Sequence, residues 1–173
     1  VKKFLLLFLF LSPVILTAQK FPDAYVGHWK GALDIYNGSK KVQTVTCALD
    51  VTPADSGRYD WIITYGDSGQ DRRHYLLIPM DTAKGHWAID EQNGIVIDMY
   101  VTGNKVTSLF TVMGSAVQIS YWRDGEDMMI ELFSYPEKAD VVTGKGTEES
   151  PEVKVFKFSG YQLGRMKRVK GYR

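Results

Sequence analysis

The sequence predicts an all-β protein, a ten-stranded up-and-down antiparallel β-barrel. Three observations predict it. No helical apolar period runs through residues 20–173. Short segments of alternating polarity recur about every ten residues, with turn signals between them. Most links between these segments are two to six residues long, the length of hairpin connections rather than crossovers. Closing such a meander on itself removes exposed sheet edges.

Strands are expected at 26–36, 42–52, 59–65, 72–80, 86–91, 95–102, 105–113, 116–123, 127–135 and 153–163. Their registers follow from parity, because a slip of one residue moves every side chain to the other face. A two-residue turn at Gly103-Asn104 pairs Val101 with Val106 and Ile97 with Phe110. Turns at Gly114-Ser115 and Asp124-Gly125 carry the apolar face on through Ile119, Tyr121 and Ile130. In "EQNGI" a three-residue loop with left-handed Gly94 sets Ile95 and Ile97 beside Glu91, Ile89 and Trp87 and keeps the stripe apolar. A four-residue loop at Thr82–Gly85 extends it to Leu76, Ile78 and Met80, and "YGDSGQD" to Tyr59, Trp61, Ile63 and Tyr65. The opposite face carries Lys30, Asp34, Asp50, Asp60, Arg73, Asp90, Asp98, Gln118 and Glu131, a polar and almost wholly charged row too costly to face lipid. The apolar face therefore points inward, and a lipid-embedded barrel is not expected.

Residues 1–19 read as a secretory signal peptide: Lys2 and Lys3, an apolar run from Phe4 to Leu11, and a small-residue zone at Thr17-Ala18-Gln19. The run is too short to span a bilayer, and Ser12-Pro13 interrupts it. Cleavage near Ala18/Gln19 leaves one barrel domain, 20–173, with a long polar loop at 136–152, exported to the periplasm or beyond. Losing Lys2 and Lys3 takes the formal charge from +1 to −1. Charges of both signs are interspersed, so no nucleic-acid partner is expected. Cys47 is the only cysteine, which excludes an intramolecular disulfide, and its apolar setting reads as a buried thiol.

"GDSG" (Gly66 to Gly69) matches the surroundings of a trypsin-like nucleophile. Ser68, however, falls at a hairpin tip, and His28, the only histidine before it, falls at the far end of the barrel. No nucleophile–base pair emerges, and a non-enzyme is expected. The register sets His74 and His86 on opposite faces, so no zinc site or other metal site is expected, nor any cofactor. The same register brings Arg72, His74 and Glu91 to the inner face near the mouth, with Tyr65 opposite Arg72. A guanidinium facing an apolar lumen needs a carboxylate, water or an anionic ligand, and arginine grips carboxylates bidentately. One reading is a mouth in which Arg72 receives the acidic head of a small hydrophobic or amphipathic ligand. Its tail would lie among Trp61, Ile78, Trp87, Ile97, Met99, Phe110 and Ile119. The other is an Arg72–Glu91 pair that closes the rim.

"VGHWKG" opens strand one with Gly27-x-Trp29, and the last strand ends "GYQLGRMKR". This resembles the calycins, in which such a motif closes the blind end of the barrel beneath an arginine of the final strand. The resemblance implies a closure of Gly27, Trp29 and Arg165 or Arg168, with Arg165 taken first, and small apolar ligands. Ten strands are more similar to the fatty-acid-binding and nitrobindin branches than to eight-stranded lipocalins. "NGSKK" leaves no room for the helical pair of the former. Nothing after His86 is a histidine, unlike the haem ligand of the latter. The expected function is non-catalytic binding of an amphipathic molecule in the lumen. The alternative is a packed barrel that binds a protein partner through outer aromatics: Tyr75, Tyr100, Trp122, Phe133 and Tyr135.

Overall fold

Alternating polarity and short links produce one continuous meander in the computed structural model, which describes residues 20–69 and 71–170. The predicted signal peptide lies outside these residues. The strands are β1 (Gly27–Asn37), β2 (Lys40–Pro53), β3 (Tyr59–Tyr65), β4 (Asp71–Asp81), β5 (His86–Asp90), β6 (Val96–Thr102), β7 (Lys105–Val112), β8 (Ser115–Asp124), β9 (Asp127–Pro136), β10 (Val141–Thr143), β11 (Val153–Val155) and β12 (Gly160–Arg168). β1 to β9 and β12 form a closed antiparallel barrel, with β12 hydrogen-bonded between β9 and β1. β10 and β11 make a separate two-stranded ribbon in the link between β9 and β12.

The final barrel strand is therefore 160–168 rather than 153–163. The alternation in "VKVFKF" serves the ribbon and an outer contact instead. Phe158 packs on Phe133 at 4.8 Å and Phe156 on Tyr135 at 5.0 Å between ring centroids. The segment expected as a polar loop thus supplies part of the ribbon and leads into this aromatic contact. Two of the outer rings expected to be free are partly covered by it.

Several hairpins follow the expected parity. Val101 faces Val106, Ile89 faces Ile97 and Trp87 faces Met99. In the "EQNG" link Gln92 and Gly94 adopt positive φ, and Glu91 N–H donates to the Ile95 carbonyl at 2.9 Å. The β7–β8 turn falls on Met113-Gly114, so Phe110 faces Val117, and β8–β9 turns so that Tyr121 faces Ile130. Both pairings differ from expectation by two positions, an even shift that leaves the inner face unchanged.

β4 is the exception. Tyr65 faces Asp71, and Thr64 faces Arg72, a shift of one position. At its other end an irregularity between Pro79 and Asp81 absorbs Met80, so Leu77 faces Ile89 and Pro79 faces Trp87. Asp71, Arg73, Tyr75 and Leu77 consequently point inward, while Arg72, His74, Leu76 and Ile78 point outward. Leu77 is fully buried, whereas Met80 is 54% exposed.

One end of the barrel is plugged by residues 21–25, which enter as a single 3-10 turn at Asp23–Tyr25. Tyr25 Oη donates to the Tyr121 carbonyl at 3.1 Å, and Trp29 Nε1 donates to the Tyr25 carbonyl at 2.7 Å. Phe21 meets Tyr25 and Trp87 edge-on. Tyr59 Oη donates to the Asp23 carboxylate at 2.7 Å, and burial with that bond pushes its phenol up to about 12. Beneath the plug, Trp29, Leu49, Val51, Trp61, Met99, Met128 and Met166 are essentially inaccessible. A large side chain sealed this way contributes roughly 1.5–3 kcal/mol by leaving water.

Candidate functional site

The inner face changes character along the barrel axis. Toward the end opposite the plug, Ile35, Val45, Ile97, Phe110, Val117 and Leu132 still point inward but remain partly accessible. The inner face is therefore closely packed beneath the plug and partly accessible in a cup-like half toward the mouth, while a cavity of about 580 Å³ lies beside the plug itself, against Phe21, Ala24, Tyr25, Trp87, Val101 and Arg123. Links after β1, β3, β5, β7 and β9 surround that mouth.

A polar cluster occupies one side of it. Asp71 accepts from Arg73 Nε at 2.9 Å and from Nη2 at 3.0 Å, a two-pronged pair with both side chains 50% exposed. The Arg73 hydrogen bonds hold the Asp71 carboxyl below its ordinary range, and that bond to Asp71 in turn raises the guanidinium. The Arg73 guanidinium also sits 5.2 Å from the Tyr65 ring centre. Burial pushes the phenols of Tyr65 and Tyr75 upward, so both are neutral O–H groups at physiological pH. Glu91 follows Trp87 and Ile89 along the inner row of β5, and Asn93 Nδ2 donates to its Oε2 at 3.2 Å.

This cluster corrects the expected one. Arg72 and His74 do not face the lumen. Arg72 lies on the outer wall in register with Thr64, and His74 Nε2 is 2.7 Å from Asp60 Oδ1. His86 also points outward, stacked on Tyr100 and 2.8 Å from Asp98, so the two histidines share the outer face rather than opposing one another. Among the described residues, no group of three or more His, Cys, Asp or Glu side chains is placed to hold a metal ion. Tyr65, Glu91 and Phe110 face the open half as expected. Trp61, Trp87 and Met99 face inward too, but they form the sealed floor, 1%, 7% and 1% exposed. Tyr75, expected outside, is inside.

At the plugged end, Trp29 lies against two guanidiniums. Arg168 and Arg123 stand 4.6 and 4.5 Å from its ring. Each contact of this kind stabilises by about 0.5–2 kcal/mol. Gly27, two residues before the tryptophan, has φ +141°, a backbone conformation that residues with a Cβ rarely adopt, and a Cβ there would also approach the Arg168 guanidinium to 3.3 Å. Arg165 is not the closing arginine: its parity turns it outward, where it bridges Asp124 and Asp127 at 2.7 and 2.8 Å. Arg123 has no counterpart in the sequence reading. It donates to the carbonyls of Ala24, Gly125 and Asp127, and desolvation followed by the neighbouring Arg168 lowers its proton affinity.

Ser68 lies in the β3–β4 link, while the His28 ring is engaged by Asp50 on β2. Neither geometry supplies a nucleophile with its base.

No family model matches the sequence, and no curated protein matches it. Among solved structures, it is similar to a crystal structure of a protein of unknown function from the DUF3598 family of Nostoc punctiforme. The TM-score is 0.58 and the identity 12%, over 83% of this chain and 47% of that one. The chain thus spans about half the length of that protein, and the likeness is one of fold.

Proposed function

We propose that the protein binds a small amphipathic molecule non-catalytically in the open half of a calycin-type barrel, with the tail in the cup and a carboxylate head at Arg73. One observation carries this: the same inner face that is sealed beneath the plug stays accessible and apolar toward the mouth. Apolar surface left open to water is the driving force that a small apolar ligand uses, about 25 cal/mol per Å² covered. The head-group assignment rests on Arg73. Asp71 occupies Nε and one Nη2 hydrogen, and the Nη1 edge has no carboxylate on it among the described residues. Tyr75 Oη accepts a hydrogen bond from the same guanidinium and keeps its own hydrogen as a neutral donor. The leader read at residues 1–19 supports action outside the cytoplasm.

The outer-surface alternative loses Tyr75, which is inside, and Trp122 carries Lys105 4.2 Å from its ring; it keeps Tyr100 and an outer aromatic patch in which Phe133 and Tyr135 pack on the exposed rings of Phe158 and Phe156.

The test is fluorescence titration with cis-parinaric acid and its neutral alcohol. Arg73→Met should weaken the acid about tenfold, the order of one charge-assisted hydrogen bond, and leave the alcohol unchanged. Arg72→Ala should leave both unchanged. Binding of neither probe by the parent protein overturns the cup reading, and an Arg73→Met protein that still prefers the acid overturns the head-group assignment.

A further inference from the structure

Ligand binding in the cup raises the question of entry, and one seam of the barrel answers it. Every neighbouring pair of barrel strands is in register over five residues or more except β6 and β7. There, only Tyr100, Val101 and Thr102 pair, with Thr107, Val106 and Lys105. These lie beside the Gly103-Asn104 turn, at the plugged end. Above them, Val96–Met99 pair only with β5, and Ser108–Val112 pair only with β8. The backbone pairing of the wall is therefore notched from the rim down to Met99 and Ser108, whose side chains are buried.

Side chains along the notch depart from the alternation of the other strands. On the inner side stand Ile97, Phe110 and Val112. On the outer side, Val96 is 56% and Leu109 71% exposed. At comparable outer positions β1, β2, β4 and β8 carry Asp34, Thr44, Arg72 and Gln118. Exposed strand edges are ordinarily protected by charge or proline. These edges carry one charge, Asp98, which is engaged by His86, and Thr111, but nearest the rim Val96, Ile97, Leu109, Phe110 and Val112 give a crossing hydrocarbon apolar surface on both faces. A backbone ladder that is absent also presents no hydrogen bonds to break on opening.

We propose that the amphipathic ligand enters and leaves the cup sideways, through the β6–β7 notch, with its head remaining at the mouth. This rests on the ligand-binding reading above. The test uses the Val96→Cys/Thr111→Cys protein, whose two positions face one another in the register set by Val101 and Val106. A reducible bis-methanethiosulfonate linker bridges the two thiols. The control bridges Leu109→Cys and Gln118→Cys across the fully paired β7–β8 seam. Stopped-flow release of bound cis-parinaric acid should slow at least tenfold in the first protein, recover on reduction, and stay unchanged in the control. Equal release rates with and without the β6–β7 bridge overturn the proposal.

Hydrogen exchange of the free protein separates this failure from that of the binding reading, because it needs no ligand. Amides in 96–99 and 108–112 that are not bonded to β5 or β8 should exchange at least a hundredfold faster than those of the β1–β2 and β8–β9 ladders. Protection equal to those ladders overturns the notch itself, whatever the protein binds.

Discussion

The two halves of this barrel use one inner face in two ways. In the plugged half Trp29, Trp61, Met99 and Met128 interlock until none retains appreciable exposure. In the mouth half Ile35, Phe110 and Val117 point into the same lumen and stay partly wet. The number of strands is the same in both halves, so strand count does not create the difference. Side-chain size and the plug create it. Tryptophan and methionine fill the cross-section, and Phe21 and Tyr25 cap it. A ten-stranded barrel is wider than one that ordinary side chains fill unaided, and here extra chain is spent on sealing one end only.

That contrast can be broken most directly by truncation. Trp61→Ala in the packed half should lower the stability toward urea by about 3–5 kcal/mol, as loss of a sealed aromatic does. Phe110→Ala in the open half should cost less than about 1 kcal/mol, since solvent already reaches that ring, while weakening an apolar probe. Equal losses from the two would erase the distinction.

Gly31→Ala sharpens the packed half. Its Cβ would come to 2.0 Å from the Arg165 carbonyl oxygen and 2.7 Å from Met166 Cα, both backbone. β1 and β12 would have to separate, and a loss of about 1–3 kcal/mol is expected in the same urea measurement.

Cys47 probes the wall between the halves chemically. It is fully buried, and burial pushes its thiol up to about 12. Native protein should resist Ellman's reagent at pH 8, and protein in urea should react fully. Fast native reaction would show that solvent passes below the cup.

The smallest effect concerns the mouth. Asp71 is held below its ordinary range by Arg73, so the pair's contribution is fully present above the carboxyl's unfolded value, near 3.9. It is lost as pH falls through the lowered native value. Because both partners are exposed, the denaturation midpoints of parent and Arg73→Met should differ little at pH 7. Whatever difference exists should vanish in acid and shrink in high salt.

Much of the architecture was legible in the sequence because most registers were fixed by parity. Pairing shifts of two positions at β7–β8 and β8–β9 did no harm. β4 was not legible, and the reason is compositional. "RRHYLLIPMD" is apolar in both parities: Tyr75 and Leu77 make as good an inner row as Leu76 and Ile78. A one-residue irregularity at Met80 leaves no sign in such a string, and it decided whether Arg72 or Arg73 faces the lumen. The last strand failed for the opposite reason. "VKVFKF" alternates more cleanly than "GYQLGRMKR", whose Gly164 fits under Ile130 and Leu33 only because the barrel brings them there. The closing arginine was assigned on the same string. The glycine-tryptophan spacing pointed to the right end of the barrel, but parity on β12 selects Arg168 and excludes Arg165.

The placement of the indoles has a spectroscopic consequence. Of the chain's four tryptophans, Trp29, Trp61 and Trp87 are sealed in the plugged half, and Trp61 meets Tyr121 edge-on at 5.1 Å. Only Trp122, beneath Lys105, emits from the outer wall. Intrinsic emission and near-ultraviolet dichroism of this protein are therefore gauges of the floor. They follow unfolding of the packed end closely and report an occupant of the cup only from below, through Trp61, which lies in register with Tyr75.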